Sequence, residues 1–114
     1  QYLNGSANEI RVKTETLDSI LRKDRTPSLI KIDVEGHEVE VLQGARNTIR
    51  EAKPMMIIES FPPKQSTVLS LLHELGYRSM DADHHTSINP KTTNLFAWHP
   101  QGPLDKGTIQ KLIA

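Results

Sequence analysis

The chain has no cysteine, which excludes a disulfide framework, a thiolate metal site and a thiol nucleophile. It has no excess of either charge, since fourteen Lys plus Arg balance fourteen Asp plus Glu. Nucleic acid and anionic membrane surfaces both select a basic excess, so neither is expected as the main partner. Long apolar runs are also lacking. The longest, Met55 to Ile58, falls far short of the ~20 residues of a membrane span. No signal peptide is visible, and a cytoplasmic location is expected. Neither GxGxxG nor the GxxxxGK phosphate loop occurs, and no serine sits in a GxSxG elbow.

The 114 residues amount to one small domain, and 36% hydrophobic with 25% charged residues is a globular composition. The first residue is Gln rather than Met, so the chain is expected to be a piece of something longer.

Short apolar runs alternate with helical stripes. Glu9 to Thr16 alternates Ile10 and Val12 with Arg11 and Lys13, the pattern of a half-exposed strand. Thr16 precedes Leu17, Ile20 and Leu21 and suits the N-cap of a short helix. Leu29 to Val34 reads as a buried strand, and Glu35-Gly36 as the turn after it. Val39, Leu42, Ala45 and Ile49 predict one amphipathic helix over His37 to Glu51. Met55 to Glu59 is apolar on both faces, as in a central strand covered by helices on each side. Gln65 to Leu75 is a further helix, with Gly76 at its C-terminal cap. Tyr77 to Met80 and Asn94 to His99 read as strands around a polar loop, and Gly102 to Ala114 as a tail with one short helix. This alternation predicts a Rossmann-like α/β sheet, mostly parallel, with helices on both faces and an antiparallel hairpin at one edge.

Ligands of open α/β sheets bind beyond the carboxyl ends of the strands. Two strands end there in acids: Asp33, followed by Glu35, Gly36, His37 and Glu38, and Glu59. Crowded carboxylates repel, so a cation, a metal or a hydroxyl donor normally offsets them. His37 is a candidate acid–base group at the start of the helix. The structural alternative is that Asp33 and Glu35 cap the following helix. His37-Glu38 opens like HExxH, but Val41 stands where the second His belongs. Asp81, Asp83, His84 and His85 form a second polar cluster, read first as a solvated loop. His73, His99, Trp98, Phe96 and Met55-Met56 read as structural.

The run Ile30-Lys31-Ile32-Asp33-Val34-Glu35-Gly36-His37-Glu38, followed by Glu40-Val41-Leu42-Gln43-Gly44-Ala45, resembles the IKIDVEGxE…VLxGA signature of FkbM-type methyltransferases. Val12 to Asp18 resembles that family's V-x-T-x-T-L-D stretch, and Pro54 to Glu59 its P-x-x-x-x-E strand. The likeness covers roughly Ile10 to Tyr77. It implies an S-adenosylmethionine-dependent methyltransferase acting on a hydroxyl oxygen of a small molecule, glycan or lipid. It places Asp33, Glu35 and Gly36 at the methyl donor, Asp33 or His37 as the catalytic base, and Glu59 toward the acceptor. Some related methyltransferases hold Mg2+ at this rim, which here would make Asp33 and Glu59 ligands.

The family's glycine-rich first turn and its ribose-binding acid are absent from this sequence. Residues 1–114 therefore resemble the C-terminal half of one catalytic domain. Such a half is expected to be inactive alone and to pair through the open edge of Leu29 to Val34. Two other readings compete. One is a metal-dependent hydrolase or phosphoryl-transfer fragment using Asp33, Glu35 and Asp81 to His85. The other is a non-catalytic interaction module.

Overall fold

A computed structural model describes residues 2–3, 12–13, 15–21, 26–104, 107–108 and 111. In chain order the elements are β1 Tyr2–Leu3, β2 Val12–Lys13, α1 Leu17–Ile20, β3 Leu29–Ile32, α2 Glu38–Gly44, α3 Arg46–Ala52, β4 Met55–Glu59, α4 Gln65–Glu74, β5 Arg78–Asp81 and β6 Asn94–Trp98. The strand expected over Glu9 to Thr16 is described only at β2, which pairs antiparallel with β1. The tail helix lies largely outside the described residues, with 107, 108 and 111 helical.

A four-stranded sheet in the order β3-β4-β6-β5 carries the fold. β3 and β4 are parallel, with Ile32 beside Ile58. β6 is antiparallel to both β4 and β5. Three strands therefore share a direction, and β6 runs against them. The expectation of mostly parallel strands holds for strand direction, but only one of the three ladders is parallel. The hairpin does sit at an edge, with β6 inserted between β4 and β5.

Of the helices expected on both faces, the described α2, α3 and α4 pack on one. Leu42 of α2, Ile49 of α3 and Val68, Leu71 and Leu72 of α4 share one cluster with Ile32, Met56, Ile58, Leu95 and Ala97. On the other face Leu29 and Lys31 are exposed, while Met55, Ile57 and Phe96 are half-buried. The reason is the direction of travel. Both crossovers, β3 to β4 and β4 to β5, step the same way along the sheet. Right-handed crossovers in one direction place their helices on one face. Trp98 is buried and stacks on Phe96, with centroids 5.8 Å apart.

The single helix expected over His37 to Glu51 is two. Ala45 breaks it at φ −111 and ψ 8, and α3 begins at once. Asp18 of α1 supplies the cap that Ala45 cannot. Its carboxylate accepts the Asn47 amide at 2.9 Å, and the Thr48 amide at 2.8 Å and hydroxyl at 2.7 Å. Thr16 caps α1 as expected, accepting the Ser19 amide. Gly76 closes α4 at φ +83.

Candidate active site

Because β3, β4 and β5 run the same way, their carboxyl ends share one rim. The register that pairs Ile32 with Ile58 brings Asp33 level with Glu59 one step further on. After Asp33 the chain turns sharply, with Glu35 at φ 41 and Gly36 at φ 96. Two successive left-handed residues demand glycine at the second, and this reverses the strand into α2. The turn read from the sequence is present.

Asp33, Glu35 and His37 are exposed and Glu59 is half-buried. None of the four side chains makes a hydrogen bond or ion pair among the described residues. The capping alternative fails here, because α2 starts at His37 without any side-chain cap. The acids are therefore not consumed by the helix they precede.

A Cβ at position 36 would meet the Lys64 ammonium at 3.5 Å, an ordinary contact. Lys64, in the loop after β4, donates to the Gly36 carbonyl at 2.8 Å. The sequence reading missed this residue, and no pattern around Lys64 marks it. Glu38, grouped in the sequence with the rim acids, is instead 2% exposed, and its Oε2 has no hydrogen-bond partner among the described residues. The signal was available: Glu38, Leu42, Ala45 and Ile49 keep helical spacing, and this is the stripe that is buried. Ser60 Oγ is likewise buried and unpartnered. Such atoms cost about 1–3 kcal/mol each when left unmet.

The Asp81 cluster is a loop staple. Asp81 is buried at the end of β5. Its Oδ1 accepts the Asp83 and His84 amides, both at 2.9 Å, and its Oδ2 accepts the Thr92 hydroxyl at 2.7 Å. The Thr92 bond, with the His84 and Asp83 donors, outweighs burial and holds the carboxyl down at about 2. Asp83, His84 and His85 are exposed. With Asp81 committed to its own loop, the hydrolase reading loses its second acidic group. Among the described residues no three of His, Asp and Glu gather as a metal site, so the Mg2+ expectation at Asp33 and Glu59 finds no third ligand. His99 is structural as expected, edge-on to Tyr77 at 5.5 Å. No described helix is long and apolar enough to cross a membrane.

The parallel β3–β4 crossover, with an acid-bearing turn at its carboxyl rim, defines an α/β domain of the ligand-binding kind. The model of the methyltransferase FkbM domain matches residues 2–79. The chain belongs to the FkbM methyltransferase family. Among solved structures, the crystal structure of methyltransferase FkbM from Methylobacillus flagellatus KT is similar in fold, with a TM-score of 0.55 and 24% identity. The match covers 85% of this chain and 25% of that one, so the chain spans a quarter of that protein's length. No curated protein matches.

Proposed function

We propose that residues 1–114 form the C-terminal part of the catalytic domain of an S-adenosylmethionine-dependent methyltransferase. The reaction is O-methylation of a hydroxyl-bearing small molecule, glycan or lipid, in the cytoplasm. The observation that carries this reading is the Asp33-Val34-Glu35-Gly36-His37 turn, whose side chains stand unengaged on the rim of a chain of this family.

S-adenosylmethionine, when bound, supplies an electrophilic methyl group on a cationic sulfonium. The chain's own residues suit such a ligand. Asp33 and Glu35 place carboxylates on the rim, and negative charge there offsets the cation. Gly36 gives the turn its sharpness. His37 or Asp33 accepts the acceptor's hydroxyl proton as the general base. Glu59, level with Asp33, orients the acceptor hydroxyl. The Rossmann-like sheet of this reading is completed by further chain on the β3 edge. Before that completion the β3 edge pairs two copies of the chain.

The test is methyl transfer from S-adenosylmethionine by the longest natural polypeptide that carries this chain, with Asp33→Asn and His37→Ala beside it. Loss of a general base lowers turnover about 100- to 10,000-fold. One of the two variants should show that loss at an unchanged melting temperature, since neither side chain has a partner to lose among the described residues. Full activity in both variants would overturn the reading.

A further inference from the structure

Lys64 stands immediately before α4, in its N-cap position, with no side-chain cap bond to the helix. A cation there has the wrong sign for the helix dipole. Its position is explained across the rim. The ammonium donates to the Gly36 carbonyl, 28 residues earlier in the chain, at 2.8 Å. It forms no ion pair among the described residues, although the acids of the turn are nearby in sequence to its acceptor. Lys64 is the only side chain that hydrogen-bonds to the Glu35–Gly36 turn among the described residues. The bond therefore ties together the two loops that follow β3 and β4. A crevice at the carboxyl rim lies between such loops.

We propose that Lys64 is a positioning residue of this rim. By clasping the Gly36 carbonyl it fixes a turn that two positive φ angles leave poorly held by local preference. It thereby sets where Asp33, Glu35 and His37 stand relative to Glu59. The consequence for catalysis rests on the methyl-transfer reading, while the clasp itself does not.

Two variants separate the cases. Lys64→Met keeps the length of the side chain without the donor, and Lys64→Arg keeps a donor. In the 114-residue chain, backbone order parameters are measured over residues 34–37, with thermal melts to establish folding. In Lys64→Met the turn should fall from about 0.85, the rigid range, toward 0.6 or below, and Lys64→Arg should restore it. An unchanged turn in folded Lys64→Met would overturn the clasp. In the polypeptide used for the transfer assay, Lys64→Met should lower kcat about 10- to 100-fold, the scale of a small misplacement of reacting groups, and Lys64→Arg should recover it. A loosened turn with unchanged kcat would overturn the positioning role. If the unmutated polypeptide transfers no methyl group, the methyl-transfer reading fails, and the order parameters alone decide the clasp.

Discussion

Replacing Asp18 by alanine removes the only side-chain cap of α3 among the described residues. The carboxylate accepts the Asn47 and Thr48 amides and the Thr48 hydroxyl, at 2.7 to 2.9 Å. Loss of an N-cap costs about 1–2 kcal/mol. Loss of a negative charge at a helix N-terminus adds about 0.3–1 kcal/mol. The expected sum is about 1.3–3 kcal/mol, or about 5–15 °C in melting temperature for a domain of this size. Asp18→Asn keeps an acceptor but loses the charge, and should cost about 1 kcal/mol. Urea unfolding at neutral pH reads both, with the m-value unchanged if only stability is altered. The pH dependence has a definite sign. Burial alone would raise the Asp18 pKa, but the Thr48 and Asn47 bonds outweigh it and hold the folded value below 3.8. The contribution is then present above that unfolded value and is lost as the pH falls through the folded one. The gap between wild type and Asp18→Ala should close on acidification. A gap under about 0.5 kcal/mol at neutral pH, within the range of an ordinary surface substitution, would refute the reasoning, as would a gap that widens in acid.

Gly36→Ala should cost about 1–2 kcal/mol from its positive φ alone, because a Cβ there meets only ordinary contact at 3.5 Å. Gly76→Ala should cost at least ~1 kcal/mol more by overpacking, since its Cβ would lie 2.9 Å from His99 Nε2; equal urea midpoints would contradict this. Leu42→Ala should destabilise by about 2–5 kcal/mol in the same assay, because Leu42 is fully buried in the core cluster; a loss below ~1 kcal/mol would contradict the packing of α2. The Asp81 carboxyl, down at about 2, should keep the loop after β5 intact through the pH range where an ordinary carboxylate protonates. The His84 amide resonance should shift near pH 2, and a midpoint near 3.8 would show that the staple is absent.

Much of the frame was legible. The β4 run and the α4 stripe announce themselves locally, and Gly76 marks a stop that needs a left-handed residue. The break at Ala45 was only faintly legible, because Gly44 disfavours a helix interior by about 1 kcal/mol while the apolar stripe runs on through it. Its cause is tertiary: Asp18, 29 residues away in sequence, caps a new helix there. Gly44 also packs against Thr16, where a Cβ would lie at 3.1 Å. The slot of β6 between β4 and β5 was hidden for a similar reason, since periodicity marks a strand but not its neighbours. At the site, the Asp-Val-Glu-Gly order was enough to foresee the turn. Lys64 was not foreseen, because its partner is a backbone carbonyl, which no side-chain pattern advertises. Glu38 was grouped with the rim acids, whereas its helical spacing with Leu42, Ala45 and Ile49 puts it on the buried stripe.

The most direct measurement is a calorimetric titration with S-adenosylhomocysteine, without and then with Mg2+. It is made on this chain and on a polypeptide extended upstream of Gln1. The extended polypeptide should bind one equivalent and this chain should give no saturable heat, because the glycine-rich donor turn is absent from its sequence. Clear one-to-one binding by this chain alone would mean that the rim around Asp33 and Glu59 holds the donor unaided. That result would contradict the half-domain reading, and silence from the extended polypeptide would contradict methyl transfer itself.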